Sequence, residues 1–388
     1  MLRKHNIAVT VISLILSLAA APPSRADDTD IYYAKADQDI GLPMVMFTLD
    51  YRPNLGSAVC QNGECESLVI DGFMDRQDSY TFFDLLRGVL KKVMTPLEGV
   101  RVGLMLNHDW KQDCEGPAGQ RPGCSNGGYV AMGFQEFQAD DLNGAKGNFH
   151  NILENIPVPR GNLSHAYQGK ELFFEFFRYL TGQGIYNGHN GYLDYAGDAT
   201  QNLDTEFPEI DWDTEIESPG KKTYISPMDE AGECTRIFTV NPLFLVSNQE
   251  DDSDPAIRAS LADGGTGGPR NGFVDMIDFL SDIDVADGSF GAAPDIIGKQ
   301  SVTSYFIVDP TKINRTTIGY AQAGNTGQPL ALSDDPDELV RVLRDIFKQI
   351  LSVSTTFVAA SVPVNVFNRS EVLDNVYLAL FQADKDSQ

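Results

Sequence analysis

Residues 43–57 read Pro43-Met44-Val45-Met46-Phe47-Thr48-Leu49-Asp50-Tyr51-Arg52-Pro53-Asn54-Leu55-Gly56-Ser57. An apolar run of this length, with Pro on one side and Arg-Pro-Asn-Leu-Gly on the other, predicts a strand buried on both faces. The run ends in a carboxylate followed by turn-forming residues. In an open α/β sheet, that is how a strand delivers a side chain to a site at its C-terminal end. The neighbouring segments extend this reading. Phe82, Leu85, Leu86, Val89, Leu90 and Val93 recur at helical spacing, so the chain from Tyr80 to Met94 predicts an amphipathic helix, stopped by Thr95-Pro96. Val100 to Leu106 predicts a second strand. Strand, helix and strand in that order make a βαβ unit and a parallel sheet.

Further along, Gly169–Leu180 predicts a second amphipathic helix, with Leu172, Phe173, Phe176, Phe177 and Leu180 on its apolar face. Ile237–Val240 and Leu243–Val246 predict a central strand broken at Asn241-Pro242. Phe273 to Ile283 predicts a helix and Val302 to Val308 a strand. Ser333-Asp-Asp-Pro-Asp-Glu338 has the Pro and acids of a helix start. Leu339, Val342, Leu343, Ile346 and Ile350 carry that helix forward. Thr355 to Phe381 is β-rich. Three stretches predict insertions: about 107–162 (with a short helix near 148–155), 181–232 and 247–300.

The chain has 388 residues, enough for one large inserted domain or two ordinary ones. Residues 1–26 have the layout of a secretory signal. Arg3, Lys4 and His5 form the basic start, Ile7–Ala21 the apolar core, and Ser24-Arg25-Ala26 the cleavage site. The apolar core falls short of the roughly 20 residues that a membrane span needs. The mature chain would then be 27–388, exported to the periplasm, outer membrane or cell surface. Cleavage removes Arg3, Lys4 and Arg25 and no acid. This leaves 26 basic and 55 acidic residues, a net charge of −29. Such a surface disfavours nucleic acid and anionic lipid as partners. Five cysteines are free to oxidise after export. Cys60 and Cys65 flank an Asn-Gly turn, Cys114 and Cys124 flank a Gly/Pro-rich loop, and Cys234 is left over.

Three segments together resemble the N-terminal domain of type IV pilus biogenesis factors and tip-associated adhesins of the PilC/PilY family. They are Leu339–Ile350 with Ser354–Val358, Val362–Arg369 with Val376–Phe381, and Lys170–Gly182. The Pro43–Ser57 strand resembles the first strand of a von Willebrand factor A domain. The resemblance implies a Rossmann-type, mostly parallel sheet sandwiched between helices, with long loop insertions and a β-rich extension at 355–388. It implies pilus assembly or tip adhesion by protein–protein contact, with minor pilins as partners and a host or abiotic surface second. Members usually continue into a β-propeller, near the start of which residue 388 falls.

The resemblance also implies a metal-dependent adhesion site built on Asp-x-Ser-x-Ser. Here Asp50 matches that pattern, while Arg52 and Asn54 stand at the two Ser positions. Ser164 is the candidate for the site's Thr, and Asn248 lies where its second Asp would be. Asp50, Asn54 and Ser164 are the candidate ligands for Mg2+ or Ca2+. The favoured reading of these departures is a degenerate site without cofactor, in which the Arg52 guanidinium pairs with Asp50. Asp50, Arg52, Asn54, Ser57, Ser164 and Asn248 define the expected binding face. Asp282-x-Asp284-x-x-Asp287-Gly288 has the look of a calcium loop, but its Gly is one position late and no Glu closes it. No nucleophile elbow, zinc-protease helix or phosphate-binding Gly loop occurs, so the sequence does not read as that of an enzyme.

Overall fold

The structure is a computed structural model that describes residues 41–51, 53–61, 63–107, 128–139, 141–156, 158, 169–185, 215–216, 223–228, 235–243, 272–291 and 293–352. Its sheet strands are β1 (Met44–Leu49), β2 (Val100–Asn107), β3 (Gly128–Phe137), β4 (Ile237–Leu243), β5 (Val302–Val308) and β6 (Leu330–Ala331). The helices are α1 (Glu66–Ile70), α2 (Phe82–Met94), α3 (Ala145–Asn155), α4 (Gly169–Leu180), α5 (Phe273–Asp282), α6 (Arg315–Ala323) and α7 (Pro336–Ser352). The sheet order is β3-β2-β1-β4-β5-β6. Only the β2–β3 pair is antiparallel; the other ladders are parallel. A doubly wound order that reverses between β1 and β4, with an antiparallel strand at one edge, is that of a von Willebrand factor A-like domain.

Successive strand residues point to opposite faces, and β1 shows how this builds two cores. Val45, Phe47 and Leu49 enter one cluster, with Phe83, Leu86 and Leu90 of α2, Phe149 and Ile152 of α3, and Leu343, Ile346 and Phe347 of α7. Met44 and Met46 enter the other, with Phe173, Phe176 and Phe177 of α4, Phe273 and Phe279 of α5, and Tyr320 of α6. Every residue of β1 is buried, as its continuous apolar run requires.

Local chemistry sets the helix ends. Thr81 caps α2: its hydroxyl accepts from the Asp84 N–H (3.2 Å), and the Asp84 carboxylate accepts from the Thr81 N–H (2.8 Å). Burial pushes the Asp84 carboxyl up, but the Thr81 hydrogen bonds and the Arg87 guanidinium outweigh it and hold the group below its usual range. Arg87 also donates to the carbonyls of Glu154 (3.3 Å) and Ile156 (3.2 Å), which closes the C-terminal end of α3 onto α2. Asp335 caps α7, accepting from the N–H groups of Asp337 (2.9 Å) and Glu338 (3.1 Å).

The structure departs from the sequence reading in four places. The stretch 107–162 is not only an insertion: it supplies the edge strand β3 and a longer helix, α3. β4 is not broken at Asn241-Pro242 but runs through both to Leu243. α4 is amphipathic as expected but is covered on its other side too: Phe174, Glu175 and Tyr179 are buried as well as its sheet-facing residues. What covers its far side includes part of the 181–232 stretch. There the Ser226 hydroxyl donates to the Leu180 carbonyl (2.6 Å), and Tyr224 packs edge-on to Tyr179 (5.6 Å). Finally, α6 forms from a Thr-rich segment with weak helical propensity. Asn314 rescues it by accepting from the N–H groups of Thr316 (2.9 Å) and Thr317 (3.3 Å). The signal at 1–26 and the extension at 355–388 lie outside the described residues. Among those described, no helix is long and apolar enough to cross a membrane.

Candidate functional site

The parallel ladders place the C-terminal ends of β1 and β4 side by side where the strand order reverses. Crevices in doubly wound sheets open at this point. Here the pairing of β1 with β4 stops, and for a specific reason. The ladder between β1 and β4 ends at Phe47 and Val240, while the ladder between β4 and β5 continues to Leu243 and Val308. Pro242 has no N–H to give, so β4 keeps one neighbour and parts from the other.

A side chain takes over where the backbone ladder stops. One residue beyond Val240, Asn241 lies opposite Thr48. The Thr48 hydroxyl donates to Asn241 Oδ1. Asn241 Nδ2 donates to the Thr239 hydroxyl (2.9 Å) and to the Tyr305 carbonyl (2.8 Å). Thr48, Thr239 and Asn241 are each 0 % exposed, so this polar row is wholly internal and tethers β1, β4 and β5 where that pairing stops.

Asp50 is two residues beyond Thr48, on the same face of the strand direction, and is itself 0 % exposed. It is the carboxylate that the described residues bring to the end of the β1–β4 pairing. Tyr51 turns the other way and packs edge-on to Phe83 (5.7 Å), which fixes the chain as it leaves the strand. Pro53–Gly56 then forms a turn of 3-10 helix that includes Asn54. Ser57 is exposed, and its carbonyl accepts from the Phe82 N–H (2.8 Å). The structure therefore places Asp50, fully buried, just past the C-terminal end of β1, with Asn54 and Ser57 on the segment that follows. Arg52, Ser164 and Asn248 lie outside the described residues, and with them the expected Asp50–Arg52 pair.

Hard divalent cations take several oxygen ligands. Among the described residues, no group of three or more His, Cys, Asp or Glu side chains could hold a metal ion. Asn241 Oδ1 is turned toward the Thr48 hydroxyl. Of the expected ligands, Asp50 and Asn54 lie among the described residues and Ser164 does not.

Of the cysteines, Cys60 and Cys65 form a disulfide with their Cα atoms 5.4 Å apart. Cys114, Cys124 and Cys234 lie outside the described residues. The Asp282–Gly288 stretch is a pair of turns. Asp284 Oδ1 accepts from the N–H groups of Ala286 (3.1 Å) and Gln300 (3.0 Å), and Asp287 Oδ1 accepts from the Ser289 N–H (2.8 Å).

Sequence reasoning missed Thr48, Thr239 and Asn241. The available signal was a set of polar residues inside otherwise apolar strands, one of them just before a proline. It also missed Glu175, a fully buried carboxyl on α4 that accepts from the Tyr224 hydroxyl at 2.5 Å.

A second polar cluster lies between α2 and α3, away from the strand ends. Lys91 pairs with Glu154, and His150 sits beside both and near Lys146. Burial first, then the positive charges of Lys91 and Lys146, hold His150 below its ordinary value, although Glu154 pulls the other way. The unfolded chain thus takes up a proton near pH 6.5 that the folded chain resists. The stability linked to His150 is complete above about pH 6.5 and is lost as pH falls through that value toward the lower folded one. The melting temperature should fall between pH 7.5 and 5.5, and the slope should be shallower in His150→Gln. Equal slopes would contradict the assignment.

No family model matches the chain, and no curated protein matches it. Among solved structures, the conserved hypothetical protein BatB from Bacteroides thetaiotaomicron is similar over 80 % of this chain and 99 % of its own, at 9 % identity and a TM-score of 0.33. An aerotolerance-related membrane protein from Bacteroides fragilis NCTC 9343 is similar over 79 % of this chain and 99 % of its own, at 9 % identity and a TM-score of 0.31. The fold assignment rests on the strand order and register described above.

Proposed function

We propose that this chain is a non-enzymatic binding domain of type IV pilus assembly or of the pilus tip. It contacts minor pilins, or a host or abiotic surface, through the strand ends around Asp50. The observation that supports this most directly is the end of the β1–β4 pairing at the point where the strand order reverses, with the Thr48–Asn241 row there and Asp50 just beyond it. The pilus context comes from the resemblance of 170–182 and 339–350; both stretches fall on helices, α4 and α7, that frame the two cores. In this reading Asp50 is a recognition or positioning carboxylate, and the rigid row beneath it holds the face in one shape.

The test is a clean deletion of the gene, with surface pili counted by electron microscopy and attachment assayed alongside. Loss of pili, restored by the wild-type gene and not by Asp50→Ala, is expected for an assembly factor. Normal pili with reduced attachment identify a tip adhesin. If neither changes, the pilus proposal is wrong.

A second reading, a metal-dependent adhesin, is favoured by the position of Asp50 at the end of β1. It predicts that millimolar Mg2+ or Ca2+ raises the melting temperature, and that Asp50→Ala abolishes the rise. An unchanged melting temperature in the wild-type protein rules it out.

A further inference from the structure

Residues 51–81 lead from Asp50 to the start of α2; their hydrogen bonds are mostly local turns, with Lys92 of α2 pairing with Asp71 (2.9 Å). Tyr51 and Leu55 anchor one end in the core beneath α2. A two-residue antiparallel ladder, Ala58–Val59 with Tyr80–Thr81, closes the base. Met74 fills the space that a glycine leaves on α2: a Cβ at Gly88 would meet Met74 Cγ at 2.4 Å. Between these anchors lies the Cys60–Cys65 bridge, buried in the same cluster as Tyr51 and Leu55. Cys60 holds a φ of +60°, a conformation that non-glycine residues rarely keep without support. Cys65 starts α1, and its carbonyl accepts from the N–H groups of Leu68 (3.0 Å) and Val69 (3.2 Å). A helix of five residues does not persist alone in water, so α1 depends on what fixes its ends.

We infer that the Cys60–Cys65 bridge is a redox-operated clamp on the segment leading away from Asp50. Oxidised, it holds that segment against α2; reduced by a dithiol, it releases the segment and loosens the face around Asp50. The functional consequence rests on the binding-face reading given above; the clamp itself does not. The reducing step is thiol–disulfide exchange. A dithiol's thiolate attacks the sulfur of Cys60, the less buried residue of the pair, 8 % exposed against 0 % for Cys65. Cys65 leaves as a thiolate and takes up a proton. The reductant's second thiol then expels Cys60 in the same way, closing the reductant into its own disulfide. Two electrons and two protons pass to the cysteine pair. Cys60 is then free to leave its left-handed conformation, and α1 loses its tether. The sheet is unaffected, because the bridge closes only a short local loop.

Hydrogen exchange of the full chain, read by mass spectrometry with and without dithiothreitol, tests this. Reduction should speed exchange at the amides of Leu68, Val69, Asp71 and Phe73, which are hydrogen-bonded within this segment, by about 30-fold, the loop-closure effect of so short a loop. Amides of β1 and α7 should not change. The double variant Cys60→Ser/Cys65→Ser should match the reduced wild type and cease to respond to reductant in this segment. The inference is overturned if residues 57–74 exchange alike in both states. It is also overturned if acceleration is uniform across the fold, or if the double variant still responds. The reduced wild type provides the measurement even if the double variant does not fold. No partner is present in the assay, so failure of the pilus proposal would leave this result standing, and the reverse holds too.

Discussion

Asn241→Leu is expected to lower the unfolding free energy by about 3–4 kcal/mol. Leucine fills nearly the same space, so the loss is polar rather than a cavity. The substitution leaves the Thr48 hydroxyl without its acceptor, and the Thr239 hydroxyl and Tyr305 carbonyl without their donor. Thr48 and Thr239 are closed to water and the bond to the Tyr305 carbonyl is part-buried, so each unmet partner inside costs about 1–3 kcal/mol. The urea midpoint should fall with little change in the slope of the transition. Adding Thr48→Val should recover part of the loss, because removing both members of a buried pair costs less than orphaning one. A single variant that loses under 1 kcal/mol, or a double variant that simply sums the two losses, would show that the row does not couple β1 to β4. The result also bears on the proposed function. If the row holds the strand ends in shape, Asn241→Leu should weaken attachment at temperatures where the domain is still folded.

The second large effect is expected at Phe177→Ala, with a loss of about 4 kcal/mol. Phe177 is at the centre of an aromatic cluster. Its ring meets Phe279 and Phe290 edge-on, each at 5.3 Å between centroids, and lies 6.3 Å from Phe174. Truncation costs most where neighbours cannot move in to fill the space. α4 is such a place, because it is buried on the sheet side by β1 and β2 residues and beside α5 by the Phe173–Phe273 contact (5.1 Å). Phe177→Leu should cost markedly less. A loss below 1.5 kcal/mol for alanine, measured by urea denaturation, would mean that this helix sits more loosely than its burial implies.

The two variants separate what the sequence displays from what it conceals. Phe177 lies on an apolar helical repeat that any reading of 169–180 finds. Two of the neighbours that make it costly to remove, Phe279 and Phe290, are more than 100 residues away in the chain, and nothing in the repeat names them. Nor does the repeat show that Phe174, Glu175 and Tyr179 are covered too, since coverage depends on residues 223–228 folding back over the helix. Asn241-Pro242 misled in the opposite direction. Proline inside a central strand is a sound signal for lost pairing, and although β4 itself is continuous its pairing with one neighbour does stop. The loss falls in one ladder and not the other, a distinction that one-dimensional patterning does not encode. β3 was hidden for a related reason. Gly128, Ala131 and Gly133 dilute its apolar run, and only pairing with β2 makes a strand of it.

By itself the sequence determined the α/β class, the burial of β1, the core faces of α2, α5 and α7, Cys60 and Cys65 as a candidate pair, and Asp50 as the residue a strand would present. These follow from local periodicity and short-range chemistry, which a linear chain carries in full. Only the tertiary structure decided the strand order, the end of the β1–β4 pairing, and the Thr48–Thr239–Asn241 row beneath Asp50. Those depend on which strands become neighbours and in what register. Residues 193 positions apart, such as Thr48 and Asn241, acquire a shared role only when the sheet brings them together.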